Sequence, residues 1–160
     1  MSAAPFPEAG VDAGREPQGS STGGDDLRIA IVVDPSLPAG LVANTVAAIG
    51  IGLGAAATVL GGDVLVDADG RAVRTSSNRP VPILQATPAA MAALLARAQV
   101  VPEGGVVAPF PRFARSLHRF EDYLAEFPRR RLAGEAIDGL GIAGPGKWVR
   151  SLTGSLKLLR

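Results

Sequence analysis

From residue 27 onward the chain alternates short apolar runs with longer segments of helical spacing. Ile29, Ala30, Ile31, Val32 and Val33 are apolar without a break, the pattern of a strand covered on both faces. Asp34-Pro35 ends that strand (Arg28–Val33), because proline offers no N–H to a ladder and pushes its predecessor toward a turn. After the turn Leu37–Gly40, the spacing of Leu41, Val42, Thr45, Val46, Ile49 and Leu53 predicts a helix. A short strand follows at Asp63–Val66, then the turn Asp67–Gly70, and residues 71–80 read as a polar loop. Val81–Leu84 predicts a strand that Pro80 and Pro82 push toward an edge. Thr87-Pro88 is helix-start chemistry, a hydroxyl cap followed by proline at the first helical position, and the helix runs over Ala89–Gln99.

Gly104–Ala108 predicts a further strand, stopped by Pro109 and Pro111. Phe113, Leu117, Phe120, Tyr123, Leu124 and Phe127 then recur at helical spacing, giving one amphipathic helix that carries His118. Ala136–Ala143 reads as the last strand, and Pro145 opens a final helix that breaks at Gly154. The order β-α-β-β-α-β-α-β-α argues an α/β domain with a mostly parallel or mixed sheet and helices on both faces.

Composition sharpens this picture. Hydrophobic residues make up 47% of the 160 and aromatics only 4%, so the core must be aliphatic. The chain has no cysteine and a single histidine, which removes disulfides, thiolate nucleophiles and multi-histidine metal sites. No metal or cofactor is expected. Residues 1–26 are rich in Ala, Pro, Gly and Ser, and they hold five acids against one base. Such a segment buries too little to offset its ordering entropy and reads as a disordered acidic tail, leaving 27–160 as one domain. It lacks the basic start and apolar centre of a signal peptide. The helix from Leu41, rich in Gly and Ala, reads as too weakly hydrophobic to span a membrane. The expected setting is cytoplasmic, with no membrane partner.

The net charge of +1 hides an asymmetry, with ten bases against five acids after residue 111. That excess is compatible with RNA contact, although Arg129–Arg131 is a short run that more simply belongs to a solvated surface.

Candidate chemistry is sparse. Gly50, Gly52 and Gly54 with Ala55 satisfy a dinucleotide fingerprint by letter, but the mechanism needs those glycines at a helix N-terminus directly after a strand. Here they fall at the far end of a helix, where close helix packing explains them better. His118 is a candidate general base, with Asp122 one turn on to orient it. Asp67 and Asp69 more simply make a turn than bind a cation. Asp34 is the best-placed acid, since ligands of open α/β sheets bind at the carboxyl ends of their strands. Around it the candidate ligand site is Asp34, Gly40, Asn44 and Thr45, with Lys147 contributed by the last helix.

The segments IAIVVDPSLPAGLVANTVA, VDADG, VPILQA and GIAGPGKWVRSLTGSLKLLR together resemble the proteins grouped as domain of unknown function 2000, over about residues 27–160. That family is similar in fold to type II peptidyl-tRNA hydrolases, whose chains end in a pattern matched here by Gly144, Pro145, Thr153, Gly154, Leu156, Leu158 and Leu159. The resemblance implies a three-layer α/β/α domain with a central mixed sheet, often paired as a homodimer. It does not imply the hydrolase's chemistry. The positions of its lysine, glutamine and histidine hold Leu41, Thr45 and Ala48, and neither leucine nor alanine can do that work. The expectation is a ligand- or partner-binding domain on a hydrolase-like scaffold. An enzyme using Asp34 or His118 and an RNA-binding protein are the alternatives.

Overall fold

A computed structural model describes residues 26–160; the expected tail, up to residue 25, lies outside the described residues. Five strands form one mixed sheet: β1 (Leu27–Val33), β4 (Ile83–Gln85), β5 (Val106–Pro111), β6 (Ile137–Pro145) and β7 (Lys157–Leu158), in the order β5-β6-β1-β4-β7. β1 and β4 are parallel, and every other pairing is antiparallel. The unbroken apolar run of β1 places it at the centre, with Ile31, Val32 and Val33 essentially inaccessible. β2 (Val64–Val66) and β3 (Ala72–Arg74) pair with each other as a separate hairpin.

The two faces of β1 divide the core. Ile29, Ile31 and Val33 pack with Ile49 and Leu53 of α1 (Ala39–Ala56) on one side. Ala30 and Val32 pack with α2 (Pro88–Arg97) and α4 (Gly146–Thr153) on the other, through Met91, Leu94, Leu95, Val149 and Leu152. This is the period-2 alternation of a strand covered twice.

The approach of α1 to the sheet depends on two glycines of β6. A Cβ at Gly139 would lie 2.5 Å from Thr45 Cγ2, and one at Gly141 would lie 2.9 Å from Leu53 Cδ1. The glycines of α1 itself are not at a close approach, because a Cβ at Gly50, Gly52 or Gly54 meets nothing within 4 Å. Close packing was the expected reason for them. The close-packing glycines belong to the strand instead.

Several boundaries differ from expectation, each for a physical reason. α1 starts at Ala39 rather than Leu41. It also reaches the length and apolarity of a membrane span by composition, with mean hydropathy 1.7 over 18 residues; here it is the crossover between two parallel strands of one sheet, packed on that sheet by Thr45, Ile49 and Leu53. β5 runs through Pro109 to Pro111, which an edge strand tolerates because one side of its ladder is unused. Part of the expected loop at 71–80 is β3, and two residues of the tail end form β7 on the outer edge of β4. The single amphipathic helix expected from Phe113 to Phe127 is broken. A 3-10 turn at Arg112–Ser116 is followed by Leu117–Arg119 in irregular backbone, then α3 (Phe120–Glu126). Asp26, placed in the tail from sequence, belongs to the fold: its carbonyl accepts the Gly146 N–H at 2.7 Å.

Candidate functional site

The carboxyl ends of β1 and β4 share a rim with the start of β6, since Val33 lies opposite Gly139. Asp34 and Asp138 are both buried there, at 2% and 0% exposure, and the Asp34 N–H donates to the Asp138 carbonyl at 3.1 Å. A buried carboxylate needs partners, and each has them. Asp34 accepts from the Ser36 N–H at 2.9 Å and the Ser36 hydroxyl at 2.7 Å, closing the turn that ends β1. Asp138 accepts from Arg112 Nε at 3.3 Å and from Arg115 Nε. The rim is therefore a set of satisfied ties between elements.

The residues expected around Asp34 are distributed over three places. Gly40 lies in the exposed first turn of α1, and Asn44 is exposed on that helix. Thr45 is buried against Gly139. Lys147 lies at the opposite end of the sheet, because β6 runs antiparallel to β1 and Pro145 faces Leu27. His118 is in the irregular segment before α3, where no hydrogen bond joins it to Asp122 among the described residues. Asp67 holds the hairpin turn, accepting from the Asp69 and Arg71 N–H groups at 2.9 and 2.8 Å. The Arg71 N–H first, then Asp69 and the Arg71 side chain, hold the Asp67 carboxyl below its ordinary 3.8. Among the described residues no group of three or more His, Asp or Glu could hold a metal ion.

An apolar groove, one of several concavities of similar size, lies elsewhere. It has a volume of about 480 Å³ and lies between α1 and the Leu117–Tyr123 segment, floored by Ala108–Phe110 of β5. Ala48 and Gly52 form the α1 wall, and Leu117, Phe120 and Tyr123 form the other. His118, Arg119 and the Tyr123 hydroxyl supply its polar side-chain lining, with no carboxylate. The aromatic wall is ordered by stacking. Phe120 and Tyr123 have ring centroids 6.2 Å apart at 18°, and Tyr123 stacks on Phe113 at 5.8 Å and 17°. Arg130 caps the far side, 4.4 Å above the Phe113 ring, while pairing with Glu126 at 2.7 Å and Glu135 at 3.1 Å. Burial pushes the Tyr123 hydroxyl above its ordinary 10.0, so at neutral pH it is a protonated donor.

The profile of Protein of unknown function (DUF2000) matches residues 27–160. The chain belongs to the DUF2000 family. No curated protein matches it. The DUF2000 domain is similar in fold to the solved structure of Atu0240, a protein of unknown function from Agrobacterium tumefaciens strain C58. The TM-score is 0.75 at 16% identity, covering 83% of this chain and 97% of that one.

Of the candidate site residues of this DUF2000 domain, only His118 lines the groove. Gly52, Phe120 and Tyr123 were not expected to shape a site. Phe120 and Tyr123 fit a core-facing helical stripe, yet Phe120 is 68% exposed. A signal was present: five of the seven aromatic residues, Phe110, Phe113, Phe120, Tyr123 and Phe127, fall within 18 positions of a chain that is otherwise aliphatic.

Proposed function

We propose that this DUF2000 domain binds a small, mainly apolar molecule in the groove between α1, β5 and α3. The supporting observation is the groove itself. Its volume lies within the usual range for ligand sites, and it combines apolar walls with a few polar groups at one end. Gly52 lines the α1 wall, and a Cβ there meets nothing within 4 Å, leaving room for a larger side chain at the groove. Titrating with N-phenyl-1-naphthylamine, an uncharged probe that fluoresces in apolar sites, tests this. Gly52→Leu is expected to abolish saturable binding while preserving cooperative unfolding. Equal binding by wild type and Gly52→Leu would overturn the assignment.

The scaffold reading that accompanies it is a peptidyl-tRNA hydrolase II-like domain working in the cytoplasm without hydrolase chemistry. Leu41 and Ala48 stand where the resemblance places the hydrolase's lysine and histidine, and Ala48 serves as a groove wall. No turnover of a peptidyl-tRNA mimic is expected. Enzymatic use of Asp34 with His118 has little support, because the groove includes His118 and not Asp34. RNA binding through the basic last third is weakened by pairing: Arg112, Arg115, Arg130 and Arg150 each face a carboxylate of the chain. It predicts a salt-steep affinity, and none is expected.

One observation favours self-association as a second reading. α1 has no charged residue over 18 positions, and Ile51 on its outward side is 75% exposed. An uncharged helix with a large aliphatic side chain on its outward face is normally covered, and a second copy presenting the same small residues could pack closely against it. Ile51→Glu would then turn a dimer into a monomer in sedimentation equilibrium. A monomeric wild type would dismiss the reading.

A further inference from the structure

We infer that the groove selects a planar aromatic anion, an aryl carboxylate or sulfonate rather than a neutral or cationic molecule; this rests on the groove being the ligand site. Three features of the lining converge. Arg119 is its one side chain charged at every pH near neutrality, His118 stands beside it at the α3 end, and there is no Asp or Glu in the lining. Apart from the Tyr123 hydroxyl the remaining side chains of the lining are apolar, and Pro109 in the floor has no N–H to offer, so a ligand's negative charge meets its one fixed cation at Arg119. The aromatic wall is flat and aligned, because Phe120 and Tyr123 stack with 18° between their planes. A ring laid against that face continues the stack in offset geometry.

The cation is available. Arg119 Nε stands 3.5 Å from Glu121 Oε2, and both side chains are about 70% exposed, an arrangement worth little to the fold. A guanidinium fork can turn from that partner to a ligand carboxylate and hold it through two parallel N–H donors. His118 lines the groove next to Arg119, and the protonated Tyr123 hydroxyl is a further donor within the same lining. Apolar body, flat face and a single cationic end together describe the ligand class.

A matched pair of dyes tests this on the full chain: 1-anilinonaphthalene-8-sulfonate, which is anionic, and N-phenyl-1-naphthylamine, nearly the same rings without the sulfonate. The anionic dye is expected to bind about tenfold tighter. Arg119→Gln should remove most of that preference and leave the neutral dye's affinity unchanged, and Arg119→Lys should restore it in part. Urea unfolding of Arg119→Gln should match wild type, since the side chain is exposed. Equal affinity for the two dyes, or equal weakening of both by Arg119→Gln, overturns the anion assignment while the groove stands. If Gly52→Leu leaves both dyes bound, the groove is not the site and both readings fall together.

Discussion

Asp138 carries a charge at a fully buried position, and what it needs comes from 26 and 23 residues earlier, from Arg112 and Arg115. Removing one partner of a buried ion pair leaves the others uncompensated. Both arginines reach solvent here, at 48% and 29% side-chain exposure, so the loss is smaller than for a fully enclosed triad. Asp138→Asn is expected to destabilise by about 2–3 kcal/mol in urea unfolding, and Arg112→Gln, the more exposed and longer contact, by less. This tie was not legible in the sequence, because nothing local distinguishes Asp138 from a solvated acid. Asp67 is the opposite case: its aspartate-glycine turn could be read directly, since its partners lie two and four residues on. Its carboxyl is held below 3.8, so the folded turn binds protons less readily than the open one. The turn's stabilisation is therefore present above that pH and fades as pH falls through the lowered value. An NMR titration should show the Arg71 and Asp69 amide shifts moving together, with a midpoint below 3.8.

At the scale of the element, α1 and β6 divide their glycines by purpose. Gly141 leaves room for Ile49 and Leu53, and Gly141→Ala is expected to cost about 1–3 kcal/mol by forcing those side chains apart. Gly50 and Gly54 face open space inside a helix, so Gly50→Ala and Gly54→Ala should each stabilise by about 0.5–1 kcal/mol. Thermal unfolding of the three variants checks both directions at once. Periodicity made β1, α1 and α2 readable, and the Thr87 cap of α2 was read correctly, with Thr87 Oγ1 accepting the Ala90 N–H at 3.3 Å, although the helix runs Pro88–Arg97 rather than Ala89–Gln99. It failed where tertiary context decides. β5 keeps its prolines because no strand lies beyond it. The helix expected from Phe113 breaks at Leu117–Arg119, where Arg115 turns toward Asp138 and the aromatic rings stack on one another instead of on the sheet. The groove exists because of that break, so reading the segment as one helix also hid the site.

At the scale of the whole molecule, the fold has one tightly coupled part and one appended part. β1 and β6 pair over seven consecutive positions between two apolar layers. The β2–β3 hairpin pairs over three, forms no ladder with the main sheet, and leaves Val64, Leu65, Val66 and Val73 more than half exposed. A two-stranded hairpin is marginal alone in water, so the two parts should open at different free energies. Native-state hydrogen exchange in low urea separates them. The Asp34 amide, bonded to the Asp138 carbonyl at 3.1 Å, should exchange only through global unfolding, with a steep urea dependence. The Asp67 and Thr75 amides, bonded to Arg71 and Asp63 at 3.0 and 2.9 Å, should exchange through local opening that urea hardly affects. Asp138→Asn should then speed exchange at Asp34 and leave Asp67 and Thr75 unchanged. If all three amides instead accelerate together, the hairpin is coupled to the sheet by interactions other than its own ladder, and the division into two parts fails.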